Sequence, residues 1–221
     1  MSIVNTKDYL QILRNDIHSV VMATTDNDGH PVTRFIDIML ADDTTLYFLT
    51  AKGKAFHDQL MKDGYIALSG MSGGEGMDVK EASLHKKAIS VRGTIENIGT
   101  EKLDEIFARN PYMAAIYPDP ESREALEVFR MTDGKGEFFD LSTRPITREE
   151  FGIGKSAGKK EELKPAYFIS DKCIGCGTCV SVCPQKCIDT TEIPFVIEQE
   201  HCLHCGNCFR ECPAYAVVHN V

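Results

Sequence analysis

The stretch CIGCGTCVSVCP, Cys173 to Pro184, and its echo CLHCGNCFRECP, Cys202 to Pro213, decide the fold of the last quarter of the chain. Each reads C-x2-C-x2-C-x3-C-P. A C-x2-C-x2-C loop places three thiolates on one tight turn, and a fourth must come from elsewhere. Four thiolates around a cube form the ligand set of a [4Fe–4S] cluster. Structural zinc sites usually show paired C-x2-4-C knuckles. Two complete copies, each ending in Cys-Pro, favour iron and sulfur over zinc. Gly175, Gly177 and Gly206 allow the tight turns and let backbone N–H groups approach the sulfurs.

Working outward, YFISDKCIGCGTCVSVCPQKCI is echoed by FVIEQEHCLHCGNCFRECPAYAV, and Cys173 maps onto Cys202 with a period of 29. Each unit reads as a short apolar strand, a cysteine loop, a helical turn ending at Cys-Pro, and a return. One unit cannot bury a core alone, but two back to back can. All nine cysteines lie at or after position 173. The beginning MSIVNTKDYLQ has no basic segment followed by an apolar one. Metal ligation in a reducing compartment is therefore expected, and a cytoplasmic location with it.

Residues 166–221 resemble the bacterial-type two-[4Fe–4S] ferredoxin. The resemblance implies that the Cys-Pro cysteine of each motif serves the other cluster. Cys173, Cys176, Cys179 and Cys212 would hold one, and Cys202, Cys205, Cys208 and Cys183 the other. Cys187 is the ninth cysteine, at a position where such repeats often carry a small apolar residue. It is expected as a buried small hydrophobe near a cluster. His204 lies inside the second loop. That loop already supplies three cysteines, so His204 is expected at the surface rather than as a ligand.

Composition shifts near residue 152. GIGKSAGKKEELKPA has three glycines, four lysines and a proline and reads as a linker. The expected organisation is a front domain over 1–151, a linker over 152–165 and the cysteine domain over 166–221. In the front domain, Asn5 or Thr6 can cap a first helix with Tyr9, Ile12 and Leu13 on one face. Strands are expected over 19–25 and 30–40, joined by the DNDG turn, then over 45–50, 64–71, 87–98 and 136–142. Helices are expected after Lys54 and around 101–109 and 120–130, the last with Pro120 at its first position. A Gly-rich polar loop separates the strands at 64–71 and 87–98. Such a run of hairpin-connected strands points to a small antiparallel barrel or sandwich.

A net charge of −9 disfavours nucleic acid and anionic membrane as partners, since both need a basic face. No apolar run approaches the ~20 residues of a membrane span. An acidic surface suits docking onto the basic patch of a redox partner.

Clusters move one electron at a time, so the front domain should supply a substrate or a two-electron cofactor. Arg34 stands in the middle of a strand, and Lys52 and Lys54 follow the next strand just before a helix. A phosphate wants cationic side chains and free N–H groups at a helix start. These residues could converge on one if the two strands are neighbours. No G-x-G-x-x-G follows a strand, so nicotinamide binding is unsupported. His30, His57 and His85 are acid–base candidates by residue type alone.

The order ATTDNDGHPVTRFIDI, LYFLTAKGKAFHDQL, GYIALSG, AISVRGTIENI resembles the pyridoxamine 5′-phosphate oxidase-like FMN-binding split-barrel family over about residues 5–145. The resemblance implies a mainly β split barrel with flanking helices, followed by the small α+β ferredoxin-like domain. It implies FMN at the interface of a homodimer. Arg34, Phe35 and Ile36 would line the flavin, and Leu49, Thr50, Ala51, Lys52 and Lys54 would hold its phosphate end. Arg92 would face the flavin or the partner subunit. The true oxidases place a Ser-Arg-Lys run at the phosphate loop, where this chain has Gly53 before Lys54. They also carry a Trp and an Arg-Leu-x-Pro substrate stretch. Here there is no Trp, and DLSTRPITREEFG is the nearest counterpart, so pyridoxamine phosphate is not the expected substrate. Oxygen damages paired clusters, which suits an anaerobe. The expected function is a flavo-iron–sulfur oxidoreductase serving a small acceptor or a redox protein. The alternative is an electron-transfer module or redox sensor without turnover of its own.

Overall fold

A computed structural model describes residues 6–159 and 165–220. Asn5 and the linker positions 160–164 lie outside the described residues. Helix α1 (Thr6–Gln11) passes into a π-helical turn over Ile12–Ile17. The wider turn rotates the apolar face, so Tyr9, Leu10 and Leu13 are buried while Ile12 is only half-buried. Strands β1 (Ser19–Thr25) and β2 (Pro31–Asp37) form the expected hairpin, in register from Ser19↔Asp37 to Thr25↔Pro31. Its turn is fixed locally. Asp26 Oδ1 accepts the N–H groups of Asp28 and His30, both at 2.9 Å, and Gly29 takes φ +84°, which glycine adopts freely.

The second strand stops short of Leu40. The Ile38 N–H turns to His18 O (2.8 Å) and the Met39 N–H to Tyr47 O (2.8 Å). Leu40–Ala41 becomes a separate β3, paired with β4 (Leu46–Ala51). Helix α2 (Ala55–Asp63) ends on Gly64 in the left-handed region. Strand β5 (Tyr65–Ser72) is followed by the Gly-rich segment, which holds one helical turn, α3 (Val79–Ala82). Strand β6 (Lys87–Asn97) and helix α4 (Leu103–Arg109) come next.

The expected helix over 120–130 is a single turn, α5 (Pro120–Arg123), capped reciprocally by Asp119 and Ser122. From Leu126 the chain is strand: β7 runs from Leu126 to Asp140. Tertiary pairing overrides the helix signal here. Phe48↔Phe129 and Thr50↔Glu127 are opposite partners of β4 and β7, and the Phe48 and Phe129 rings stack with centroids 5.6 Å apart. The expected strand over 136–142 is the end of this longer one. Strand β8 (Thr147–Gly154) enters the segment read as linker, because Phe151 and Ile153 alternate into the core.

The sheet runs β2-β1-β5-β6-β7-β4-β3, with β8 on β7, which makes the front part a mainly β half-barrel with helices. Gly93 and Gly134 mark a close approach of β6 and β7, since a Cβ on Gly93 would stand 2.2 Å from Asp133 O. Packing divides the described chain into two compact units. One comprises 6–73, 88–138 and 150–159, and the other 74–87, 139–149 and 165–220.

In the second unit the cysteine region is a small α+β structure. Strand β9 (Tyr167–Ile169) precedes the first loop, α6 (Thr178–Ser181) lies within it and β10 (Ile188–Asp189) follows. Strand β11 (Val196–Ile197), α7 (Asn207–Glu211) and β12 (Val217–His219) repeat the pattern. Among the described residues no helix is long and apolar enough to cross a membrane.

Candidate functional site

Strand pairing builds the cysteine sites. Strand β9, which enters the first loop, pairs with β12, which leaves the second; Ile169 stands opposite Val217. Strand β10, which leaves the first loop, pairs with β11, which enters the second. Each sheet therefore joins the entry of one motif to the exit of the other. The exit cysteine of each motif is carried to the opposite loop. Cys173, Cys176, Cys179 and Cys212 line one concave site. Cys183, Cys202, Cys205 and Cys208 line another. Two concave sites, each offering four soft thiol donors, fit the ligand sets of two [4Fe–4S] clusters. The loop glycines Gly175, Gly177 and Gly206 take φ +68°, +76° and +73°. On Gly206 a Cβ would meet Tyr167 Oη at 2.9 Å.

The second cavity has polar neighbours. Cys187, 2% exposed, lines it, with its Sγ 3.6 Å from Cys183 Sγ. A hydrogen bond between Cys187 and Cys202 pushes the Cys187 thiol up, and burial adds to the effect. The same bond lowers Cys202 to about 6 against the opposing effect of burial, helped by the His204 N–H and the charge of Arg148. The His204 backbone N–H donates to Cys202 Sγ at 3.4 Å. His204 is half-buried rather than at the surface, because the Arg148 guanidinium packs on its ring, Nη1 to Nε2 at 3.0 Å. Two further contacts tie residues 146–148 to this loop. Gln185 Oε1 accepts the Ile146 N–H at 3.0 Å, and His201 Nδ1 lies 2.7 Å from Ile146 O. Sequence reasoning missed Arg148, Gln185 and His201, since no motif marks them.

In the barrel, β2 and β4 are not neighbours. Arg34 reaches helix α2 instead. Arg34 Nη1 donates to Thr24 Oγ1 (2.7 Å) and Nη2 to Gln59 Oε1 (2.9 Å). Its guanidinium lies 4.3 Å above the Phe56 ring, and partial burial lowers its pKa. Phe56 and Gln59 belong to α2, whose entry carries Lys52 and Lys54, both exposed. No side chain caps that N-terminus. Phe35 points outward at 78% exposure and Ile36 is half-buried on the core. Leu49 and Thr50 are buried on β4, Ala51 half-buried at its end. Arg92 projects from the exposed face of β6, between buried Val91 and Gly93.

His57 Nε2 lies 2.7 Å from Glu127 Oε2, to which Asn97 Nδ2 also donates at 2.6 Å. His30 closes the hairpin turn, 3.6 Å from Asp26. His85 sits exposed in a 3-10 turn.

A model of the family described as pyridoxamine 5′-phosphate oxidase matches residues 6–138, the whole run from α1 through most of β7. The chain belongs to that family. A model described as 4Fe-4S dicluster domain matches residues 157–216, which contain the eight paired cysteines. Among curated relatives, a subunit of the H(2):CoB-CoM heterodisulfide,ferredoxin reductase of Methanothermobacter thermautotrophicus is 28% identical over 125 residues. The match covers 50% of this chain and 19% of that protein. The pyridoxine/pyridoxamine 5′-phosphate oxidase of Legionella pneumophila is 24% identical over 146 residues, 65% of this chain and 63% of it. The chain thus spans about a fifth of the first relative and less than two thirds of the second. A solved NimC/NimA family protein from Clostridium acetobutylicum superposes with a TM-score of 0.51 at 19% identity, over 67% of this chain and 93% of its own. A heme binding protein from Mycobacterium smegmatis gives 0.51 at 11%, over 70% and 59%. Both show the shared fold. A barrel of this family joined to a dicluster domain is a redox arrangement.

Proposed function

We propose that the chain is a flavo-iron–sulfur oxidoreductase that couples one-electron transfer at two [4Fe–4S] clusters to two-electron chemistry on a small substrate at FMN. The observation that carries it is the pair of crossed four-thiol sites on the same chain as a barrel of the pyridoxamine 5′-phosphate oxidase family. Bound FMN supplies a carrier for two electrons, taken one at a time from the clusters or returned to them. The methanogen relative, named as part of a ferredoxin reductase, supports an electron-transfer setting.

Arg34, fixed by Thr24, Gln59 and Phe56, is oriented before any ligand arrives. Lys52, Lys54 and the uncapped N-terminal end of α2 form an anion cradle for the ribityl phosphate. Gly53 has open space at its Cβ position, so a phosphate can approach the backbone there. Exposed Phe35, opposite half-exposed Val21 on β1, gives the outer face of the hairpin an apolar patch suited to a second copy of the chain. The partner's barrel would complete the flavin site. Pyridoxamine phosphate is not the substrate in this reading. The segment in the place of the oxidases' substrate stretch is committed to the cysteine loop through Ile146 and Arg148.

Protein purified without oxygen tests the proposal. Acid extraction should yield one FMN and about eight irons per chain. The Lys52→Ala, Lys54→Ala double variant should lose at least tenfold in FMN affinity while keeping its iron. Extraction of another chromophore, or of none, from the barrel overturns the flavin reading. Rapid flavin–cluster equilibration without turnover of any quinone or nitroaromatic acceptor would favour an electron-transfer module over an enzyme.

A further inference from the structure

The 29-residue repeat gives each residue around one cluster site a counterpart around the other. The two surroundings differ at many positions, and at two of them the second site gains a polar group that the first lacks. Cys187 matches Ala216. Cys187 places a buried thiol 3.6 Å from Cys183 Sγ, whereas Ala216 offers only its backbone N–H, which donates to Cys212 Sγ at 3.3 Å. His204 matches Gly175. Gly175 faces Ile193 and Phe195, while His204 sends its N–H to Cys202 and carries the Arg148 guanidinium on its ring.

We propose that these differences make the clusters unequal: the one held by Cys202, Cys205, Cys208 and Cys183 has the higher potential, set by the Cys187 thiol and the Arg148 cation. Reduction adds negative charge to a cluster. A hydrogen bond donated to a ligating sulfur and a nearby positive charge both stabilise the reduced form. Solvent exposure acts in the opposite sense at one ligand only. Cys176 and Cys205 are both exposed and Cys179 and Cys208 both buried, but Cys202 is more buried than Cys173. Against that difference, and against the Thr178 hydroxyl 3.4 Å from Cys176 Sγ at the other site, stand the Cys187 thiol beside Cys183 and a guanidinium charge. Lys172, next to Cys173, is exposed and its charge is weakened by water and salt. One electron then leaves the reduced cluster held by Cys173, Cys176, Cys179 and Cys212 and enters the other; no bond forms or breaks and no proton moves. Cys187 and Arg148 are positioning residues in this scheme.

The inference rests on the two-cluster reading, and one experiment separates the two. The full chain, purified without oxygen and assayed for iron, is titrated with dithionite under electron paramagnetic resonance. The unaltered protein should show two one-electron steps at least tenfold apart in equilibrium constant, about 59 mV. Cys187→Ala should weaken the first-reduced step about tenfold and leave the second in place. Arg148→Gln should move the same step, and Arg148→Lys should restore most of it. Ala216→Cys, which installs a thiol beside the other cluster, should raise the second step instead. Coincident steps in the unaltered protein overturn the inference, as do unmoved steps in Cys187→Ala and Arg148→Gln at about eight irons per chain. Little or no iron in the unaltered protein overturns the two-cluster reading itself.

Discussion

At the centre of the barrel, Phe48 and Phe129 stack among Leu46, Ile66, Ile89 and Met131, all nearly inaccessible to water. At the centre of the cysteine region, Cys179, Cys187, Cys202 and Cys208 share the interior with a few apolar side chains such as Ile169, Phe195 and Val217. The barrel is held by two large hydrophobic clusters, to which β4 and β7 both contribute. Its stability is a property of side chains it always carries. The cysteine region is shorter than 60 residues and spends much of its interior on thiols. A chain of that size seldom buries enough apolar surface to be stable alone. Its sheets have two strands each, with two or three residues per strand. Metal ligation must supply what packing does not.

Iron removal should give the largest effect. Chelation after oxidation of the clusters should expose residues 165–220 to rapid backbone hydrogen exchange and to protease, while β1, β4 and β7 keep their protection. Mass spectrometry of exchanged peptides reads both regions in one sample. Equal protection of the cysteine region with and without iron would break the comparison, because it would show a core sufficient without metal.

The same contrast explains what was legible in the sequence. Cysteine spacing names an element's chemistry at a distance, so the dicluster character of the segment from Cys173 to Cys212 was legible before any coordinate. The hairpin expected over 19–40 was equally plain up to Asp37, where β2 ends, because DNDG fixes a turn and strand alternation fixes its faces. The second half of the barrel was not. Leu126–Met131 carries residues that serve helix or strand, and only Phe48 and Thr50 opposite decide between them. Strand β8 was hidden by glycine and lysine in the segment read as linker. Arg34 was expected to meet Lys52 and Lys54 if their strands were neighbours; the strands are not neighbours, and the contact of Arg34 with Phe56 and Gln59 depends on long-range packing that a local reading lacks. Arg148 carried no signal beyond its residue type.

Phe129→Ala sharpens the barrel side. Removing a fully buried ring that stacks on Phe48 leaves a cavity, and such truncations cost about 3–5 kcal/mol. Thermal or denaturant unfolding of the iron-loaded protein should show that loss in the barrel transition. The visible absorption of the clusters should be unchanged at temperatures below it. A fall in cluster absorption at the same denaturant concentration would show that the two regions unfold as one.

Glu127→Gln should have the smallest effect, and its pH dependence is what makes it readable. Glu127 sits at the register position opposite Thr50, and its carboxylate accepts from Asn97 and lies against His57. The Asn97 hydrogen bond, followed by that of His57, lowers its pKa from 4.5. A lowered folded-state value means that the ionised form stabilises the fold above pH 4.5, and that the contribution fades as pH falls through the lowered value. The side chain is partly open to water, so the gain is at most about 1 kcal/mol at pH 7. Glu127→Gln should therefore be slightly less stable than the unaltered protein at neutral pH, and the gap should close on acidification below 4.5. A gap that stays constant with pH would assign the loss to packing between α2 and β7 rather than to charge. The barrel would then be held by its apolar interior even at its most polar internal contact.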